Sequence, residues 1–89
     1  MQRSRAVRTD ASRRALLARL ERLGLSSNQA QDEVRILEAK PLIVSGGQTT
    51  QEHTFFTTGG CIVKIFTRLG ERGTVHYSSS EIITNSGAG

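Results

Sequence analysis

The fold of this chain is decided by residues 49–68, which read TTQEHTFFTTGGCIVKIFTR. Threonine, phenylalanine, isoleucine and valine favour extended backbone, and two runs rich in such residues flank a pair of glycines. These glycines, Gly59 and Gly60, separate the runs by two residues and readily adopt the positive φ that a tight turn requires. The stretch therefore predicts a β-hairpin at the centre of an antiparallel sheet.

A two-residue turn would also set the register of this hairpin. Thr58 would then oppose Cys61, and alternation along each strand would divide the side chains between two faces. One face is predicted to join the core and carries Phe56, Cys61, Val63 and Ile65. The other face mixes aromatic rings with basic side chains and carries His53, Phe55, Lys64, Phe66 and Arg68.

Two further strands are predicted beside the hairpin. Residues 42–45 form a short apolar run that ends near a glycine pair, and residues 74–79 follow a second, glycine-containing turn. Together with hairpin strands at about residues 49–58 and 61–68, they predict an antiparallel meander of three or four strands.

Two helices are predicted before the sheet. The first spans about residues 10–23, begins with Thr9 or Asp10 as its N-cap, and ends before Gly24, which suits a left-handed C-cap. Its apolar stripe is predicted from leucines at helical spacing, namely Leu16, Leu20 and Leu23.

The second predicted helix spans about residues 27–39. Ser26 and Gln29 have the spacing of a capping box, and Pro41 prevents the helix from continuing. Residues 33–38 also alternate apolar with charged side chains, so a strand in that stretch is the alternative interpretation.

The expected architecture is an α+β domain in which the helices cover one face of the sheet. The chain of 89 residues is interpreted as a flexible basic arm at residues 1–8, one domain at residues 9–84 and a flexible tail at residues 85–89. The single cysteine permits no intrachain disulfide, and no apolar run approaches the ~20 residues that cross a bilayer. We therefore expect a cytoplasmic protein without a membrane partner.

Basic charge is concentrated near the amino terminus. Residues 1–24 hold seven arginines against two acids, whereas residues 25–89 hold five basic residues against six acids. Arginine has a planar fork that matches the geometry of phosphates and carboxylates. The predicted binding residues are Arg3, Arg5, Arg8, Arg14, Arg19 and Arg22. The alternative is that these arginines form an ordinary solvated helix face.

The mixed face of the hairpin is a second candidate surface. Rings that stack on bases, beside cations that bind phosphates, are typical of proteins that bind single-stranded nucleic acid. The residues concerned are Phe55, Lys64, Phe66 and Arg68. The alternative is that both phenylalanines belong to the core, while Lys64 reaches solvent along its aliphatic stem. If both faces of the sheet are apolar, a homodimer across the sheet is a further hypothesis.

A catalytic alternative depends on the second turn. If that turn holds an odd number of residues, His53, Phe66 and His76 form one row across three strands, with Lys64 nearby. Two imidazoles and a cation could then cleave RNA by general acid–base catalysis. If the number is even, His76 points to the opposite face. Two histidines and one cysteine at these separations match no zinc spacing, and no phosphate-binding glycine loop is present, so we expect no metal and no cofactor.

The leading hypothesis is a small non-enzymatic binding protein, a regulator or inhibitor of the kind that phages and mobile elements carry. It would dock onto nucleic acid, an acidic protein or a nucleoprotein complex through its arginine-rich arm and first helix. The alternatives are a toxin-type ribonuclease that uses His53, His76 and Lys64, and a homodimeric structural module.

Overall fold

The computed structural model describes the backbone of residues 2–83 and the side chains of residues 11–83. The elements in chain order are α1 (Gln2–Arg22), α2 (Ser27–Glu38), β1 (Ile43–Ser45), β2 (Gln48–Phe56), β3 (Cys61–Leu69) and β4 (Val75–Ile83), with a short 3-10 turn at Glu71–Gly73. The four strands form one antiparallel sheet in the order β1-β2-β3-β4. The predicted α+β class, two helices followed by an antiparallel meander, is confirmed.

Helix α1 begins at Gln2, well before the predicted start near residue 10. The first 22 residues contain neither glycine nor proline, and arginine and alanine are good helix formers, so nothing stops the helix at Thr9 or Asp10. The backbone of residues 2–8, which the sequence predicted as an arm, is therefore part of the helix. The predicted tail at residues 85–89 lies outside the described residues.

The ends of the helices follow the predicted capping residues. Gly24 has φ 107°, and the amide N–H of Leu25 donates to the carbonyl oxygen of Leu20 at 3.2 Å, which is the bond that closes a Schellman motif. At the start of α2, the Ser26 hydroxyl accepts from the Gln29 amide N–H while the Gln29 side chain accepts from the Ser26 amide N–H. The capping box is thus confirmed, and α2 is helical over residues 33–38 as well.

The core lies between the two helices and one face of the sheet. The buried hydrophobic side chains that the structure describes are Leu16, Leu20, Ala30, Val34, Leu37, Val63 and Ile65. Burying each larger aliphatic side chain contributes roughly 1.5–3 kcal/mol. The helical spacing of Ala30, Val34 and Leu37 therefore decides that α2 is a helix and not a strand, since only a helix buries all three together.

The predicted register of the hairpin is wrong by one residue. The Thr57 amide N–H donates to the Cys61 carbonyl at 2.9 Å, and the Gly60 amide N–H donates to the Thr57 carbonyl at 3.1 Å. The loop between Thr57 and Cys61 therefore has three residues, and Gly60, at φ 89°, takes the left-handed position of a bulged turn. A shift of one residue moves every side chain of β2 to the other face.

As a result, Phe55 opposes Val63 and faces the helices, while Phe56 opposes Ile62 on the other side of the sheet. The assignment of Phe56 to the core, and of Phe55 to the mixed face, is corrected by this register. For β3 the predicted faces are right, because Val63 and Ile65 are fully buried.

Gln51 connects the sheet to the end of α2. Its Nε2 donates to the carbonyl oxygens of Glu38 at 3.1 Å and Lys40 at 2.9 Å. These carbonyls lie at the end of α2, where no following helical turn provides amide donors for them. Its Oε1 accepts from the hydroxyl of Thr67, a residue only 2% exposed. One amide thus satisfies a helix terminus and a buried hydroxyl together.

Candidate functional site

The predicted arginines of α1 differ in how far the protein itself neutralises them. Arg14 and Arg22 are exposed, and neither has an ion pair within residues 11–83. Arg19 lies 3.8 Å from a Glu81 carboxylate oxygen and is 55% exposed, which makes a weak pair in water. The side chains of Arg3, Arg5 and Arg8 lie outside the described part of the chain. No carboxylate within residues 11–83 therefore neutralises the guanidinium groups of Arg14 and Arg22.

Arg13, by contrast, is held by the fold. Its Nε donates to Glu38 Oε2 at 2.8 Å, and the Tyr77 hydroxyl donates to the same oxygen at 2.7 Å. Burial works to raise the pKa of Glu38, but the hydrogen bonds from Arg13 and Tyr77 outweigh it and hold the pKa below its ordinary value. This cluster ties α1, α2 and β4 together, so Arg13 belongs to the scaffold.

Between α1 and β4 lies a groove of about 460 Å³. Arg19 and Arg22 line it from the helix, and Ser78 and Ser79 line it from the strand. Since β4 is an edge strand, the groove places two predicted binding arginines beside the edge of the sheet.

We call the face of the sheet that points away from the helices the open face. It is formed by alternate residues of β2, β3 and β4 that pair directly in rows. The first row is apolar and joins Phe56, Ile62 and Ile82, of which Phe56 is 72% and Ile82 63% exposed. No described helix covers this row.

Charged and aromatic residues occupy the remaining rows of the open face. Lys64 lies in the second row, Phe66 lies opposite Glu52 in the third, and Arg68 lies opposite His76 in the fourth. The face therefore combines two phenylalanine rings, Phe56 and Phe66, with two permanent cations.

Of the four residues predicted for this second surface, the structure brings three together. Lys64, Phe66 and Arg68 share the open face, whereas Phe55 lies on the helix side. Phe56 takes the place of Phe55 on this face, which sequence reasoning missed, and His76 shares the face, as expected for a second turn with an odd number of residues. Gly60 was the available signal for Phe56, because a glycine in that position also suits a three-residue loop.

The two histidines are not brought together. His53 lies on the helix side, where its Nε2 is 2.6 Å from Glu33 Oε1 and its ring stacks on Phe55. The second turn does hold an odd number of residues, five, but it pairs Phe66 with Ser78, and His76 with Arg68 on the open face. The row required by the ribonuclease hypothesis is therefore not formed, since β2 contributes Glu52 to the row of Phe66.

Residues 11–83 contain no group of three or more histidine, cysteine, aspartate or glutamate side chains placed to hold a metal ion. No helix in the described part of the chain has the length and apolar character needed to span a membrane. The chain matches no protein-family model, and neither a curated protein nor a solved structure shows significant similarity to it.

Proposed function

We propose that this protein is a non-enzymatic binding protein that docks onto nucleic acid through the arginines of α1. The observation that carries the proposal is that Arg14 and Arg22 are exposed and have no acidic partner within residues 11–83. Arg19 supports it, because it lies 3.8 Å from Glu81 and its side chain is 55% exposed, against 29% for Glu81. A long pair whose arginine faces solvent can exchange for a phosphate oxygen.

The arrangement of these arginines suits a backbone of phosphates. On a helix of 3.6 residues per turn, Arg14, Arg19 and Arg22 fall within an arc of about 140°. The buried leucines Leu16 and Leu20 lie on the opposite arc. The arginine side therefore faces away from the core, and the scaffold contacts of Arg13 fix the orientation of α1 on the sheet.

Charge reversal tests the proposal through the salt dependence of binding. Arg14→Glu and Arg22→Glu should each weaken binding of a labelled duplex or single-stranded oligonucleotide. Each should also reduce the slope of log affinity against log salt by about 0.7–0.9 for every phosphate that the variant no longer neutralises. Fluorescence anisotropy across a salt series measures both quantities.

Arg35→Glu is the matched control. Arg35 is an exposed helical arginine on α2, paired only weakly with Asp32 at 3.3 Å, and its reversal changes the net charge by the same amount. We expect a small effect for this variant. The proposal is overturned if Arg35→Glu weakens binding as much as the α1 reversals, or if the α1 reversals leave affinity and slope unchanged.

A further inference from the structure

The two phenylalanine rings on the open face are far apart. Phe56 lies in the first row on β2 and Phe66 in the third row on β3, which is one strand across and four residues along. Strand geometry puts the Cα atoms of these two residues roughly 14 Å apart. Bases stacked in a helix advance only about 3.4 Å per step, so neighbouring stacked bases cannot reach both rings. Bases splayed out from an extended single strand can.

Cations lie between and beyond these rings. Lys64 occupies the row between Phe56 and Phe66, and Arg68 occupies the row after Phe66. Lys64 is 3.6 Å from Glu52, but both side chains are about half exposed, at 49% and 48%, so a phosphate can replace the carboxylate. Arg68 has no ion pair within the described part of the chain.

Strand β4 gives this face a low, polar border. Ser78 and Ser80 stand opposite Phe66 and Lys64, and their small hydroxyls can donate to phosphate or sugar oxygens. Beside these short side chains the Phe66 ring is half-buried and the Lys64 side chain is 49% exposed.

We propose that the open face is a platform for single-stranded nucleic acid, on which Phe56 and Phe66 stack with unpaired bases while Lys64 and Arg68 contact phosphates. The inference rests on the proposed function and deepens it, since it names the form of nucleic acid that the protein prefers. Duplexes would engage only the arginines of α1.

Charge favours this occupant over a second copy of the chain. Two open faces packed together about a two-fold axis would enclose both copies of Lys64 and Arg68, while each face supplies one carboxylate, from Glu52. An unpaired cation buried in such an interface is strongly unfavourable. A phosphate backbone supplies the anions that a second copy lacks.

The test compares neighbouring phenylalanines on opposite faces of β2. Phe56→Leu and Phe66→Leu keep the apolar bulk but remove the ring, and Phe55→Leu makes the same change on the helix side. The probes are a labelled oligouridylate of about 12 nucleotides, within the range of single-stranded site sizes, and a blunt RNA duplex of about 12 base pairs, which presents no unpaired bases. We expect Phe56→Leu and Phe66→Leu each to weaken oligouridylate binding at least about fivefold, with duplex binding unchanged. Phe55→Leu should match the wild type in binding.

The outcomes separate this inference from the proposed function. If Arg14→Glu weakens both probes while Phe56→Leu and Phe66→Leu change neither, the platform is refuted and the role of α1 stands. If the phenylalanine variants weaken oligouridylate binding but Arg14→Glu and Arg22→Glu have no effect, the platform stands and the α1 proposal fails. If the wild type binds neither probe and sedimentation shows a dimer that Phe56→Leu disrupts, a second copy occupies the face and the inference is overturned.

Discussion

Phe55 and Phe56 are neighbours on β2, yet Phe55 packs against the core while Phe56 is 72% exposed on the open face. Strand alternation requires this opposition, and the three-residue loop at residues 58–60 decides which ring goes inside. The same loop therefore determines both the composition of the core and the composition of the candidate binding face.

Replacing each ring in turn should show this difference in stability. Phe55→Ala removes packing against the core and is expected to lower the free energy of unfolding by about 2 kcal/mol, whereas Phe56→Ala should change it by less than about 0.5 kcal/mol. Urea unfolding followed by circular dichroism measures both values. Equal losses for the two variants would mean that the register is not as described.

The Gln51→Ala substitution should lower stability more than is usual for a half-buried polar residue. It removes the donor to the carbonyls of Glu38 and Lys40 and leaves the buried Thr67 hydroxyl without its acceptor. We expect a loss of about 1–3 kcal/mol in thermal or chemical unfolding. Adding Thr67→Val to Gln51→Ala should recover part of this loss, because the orphaned hydroxyl is gone. If the second substitution adds a further full loss, the network does not operate as a unit.

Tyr77 provides a spectroscopic test of the cluster around Glu38. Burial and the adjacent Glu38 carboxylate raise the pKa of Tyr77 to about 12. It is the only tyrosine, and the chain has no tryptophan, so tyrosinate absorbance reports on it alone. The native protein should ionise near pH 12 and the urea-unfolded chain near pH 10.

The sign of the linked stability effect follows from these two values. Between about pH 10 and 12 the unfolded chain loses a proton that the folded protein keeps, so stability should fall with rising pH in this range. The Tyr77→Phe variant lacks this particular dependence. A native midpoint near pH 10 would contradict both the partial burial of Tyr77 and its hydrogen bond to Glu38.

Two glycines should respond differently to the same substitution. A Cβ on Gly70 would lie 2.7 Å from Thr74 Oγ1 and 3.0 Å from His76 Nε2, whereas a Cβ on Gly59 meets only Thr57 Oγ1, at 3.8 Å. Gly70→Ala should therefore destabilise the protein by about 1 kcal/mol or more, and Gly59→Ala should be neutral or slightly stabilising. Melting temperatures of the two variants decide this, and an unchanged value for Gly70→Ala would contradict the position of the Thr74 hydroxyl, which is held by its hydrogen bond to the Glu71 carbonyl oxygen.

Most elements could be predicted because local residues determine them. The bonds made by Ser26 and Gln29 start α2, and Gly24 ends α1, whatever lies elsewhere in the chain. The start of α1 was misplaced because Thr9 and Asp10 resemble caps, although no helix breaker precedes them. In that stretch the high helix propensity of the flanking residues decides the outcome.

The register of the hairpin could not be predicted from local residues alone. The sequence Thr57-Thr58-Gly59-Gly60 fits a two-residue turn at the glycines and a three-residue loop with Gly60 in the left-handed position. Both alternatives place hydrophobic residues on both faces of β2, because Phe55 and Phe56 are adjacent. The composition of the candidate site depends on this choice. The three-residue loop puts Phe56 beside Ile62 and separates His53 from the open face.

Intermolecular nuclear Overhauser effects between the protein and oligouridylate test most directly whether the open face binds unpaired bases. We expect contacts from the ring protons of Phe56 and Phe66 to base protons, and none from Phe55. Absence of any contact from Phe56 and Phe66 at saturating oligouridylate would contradict the platform.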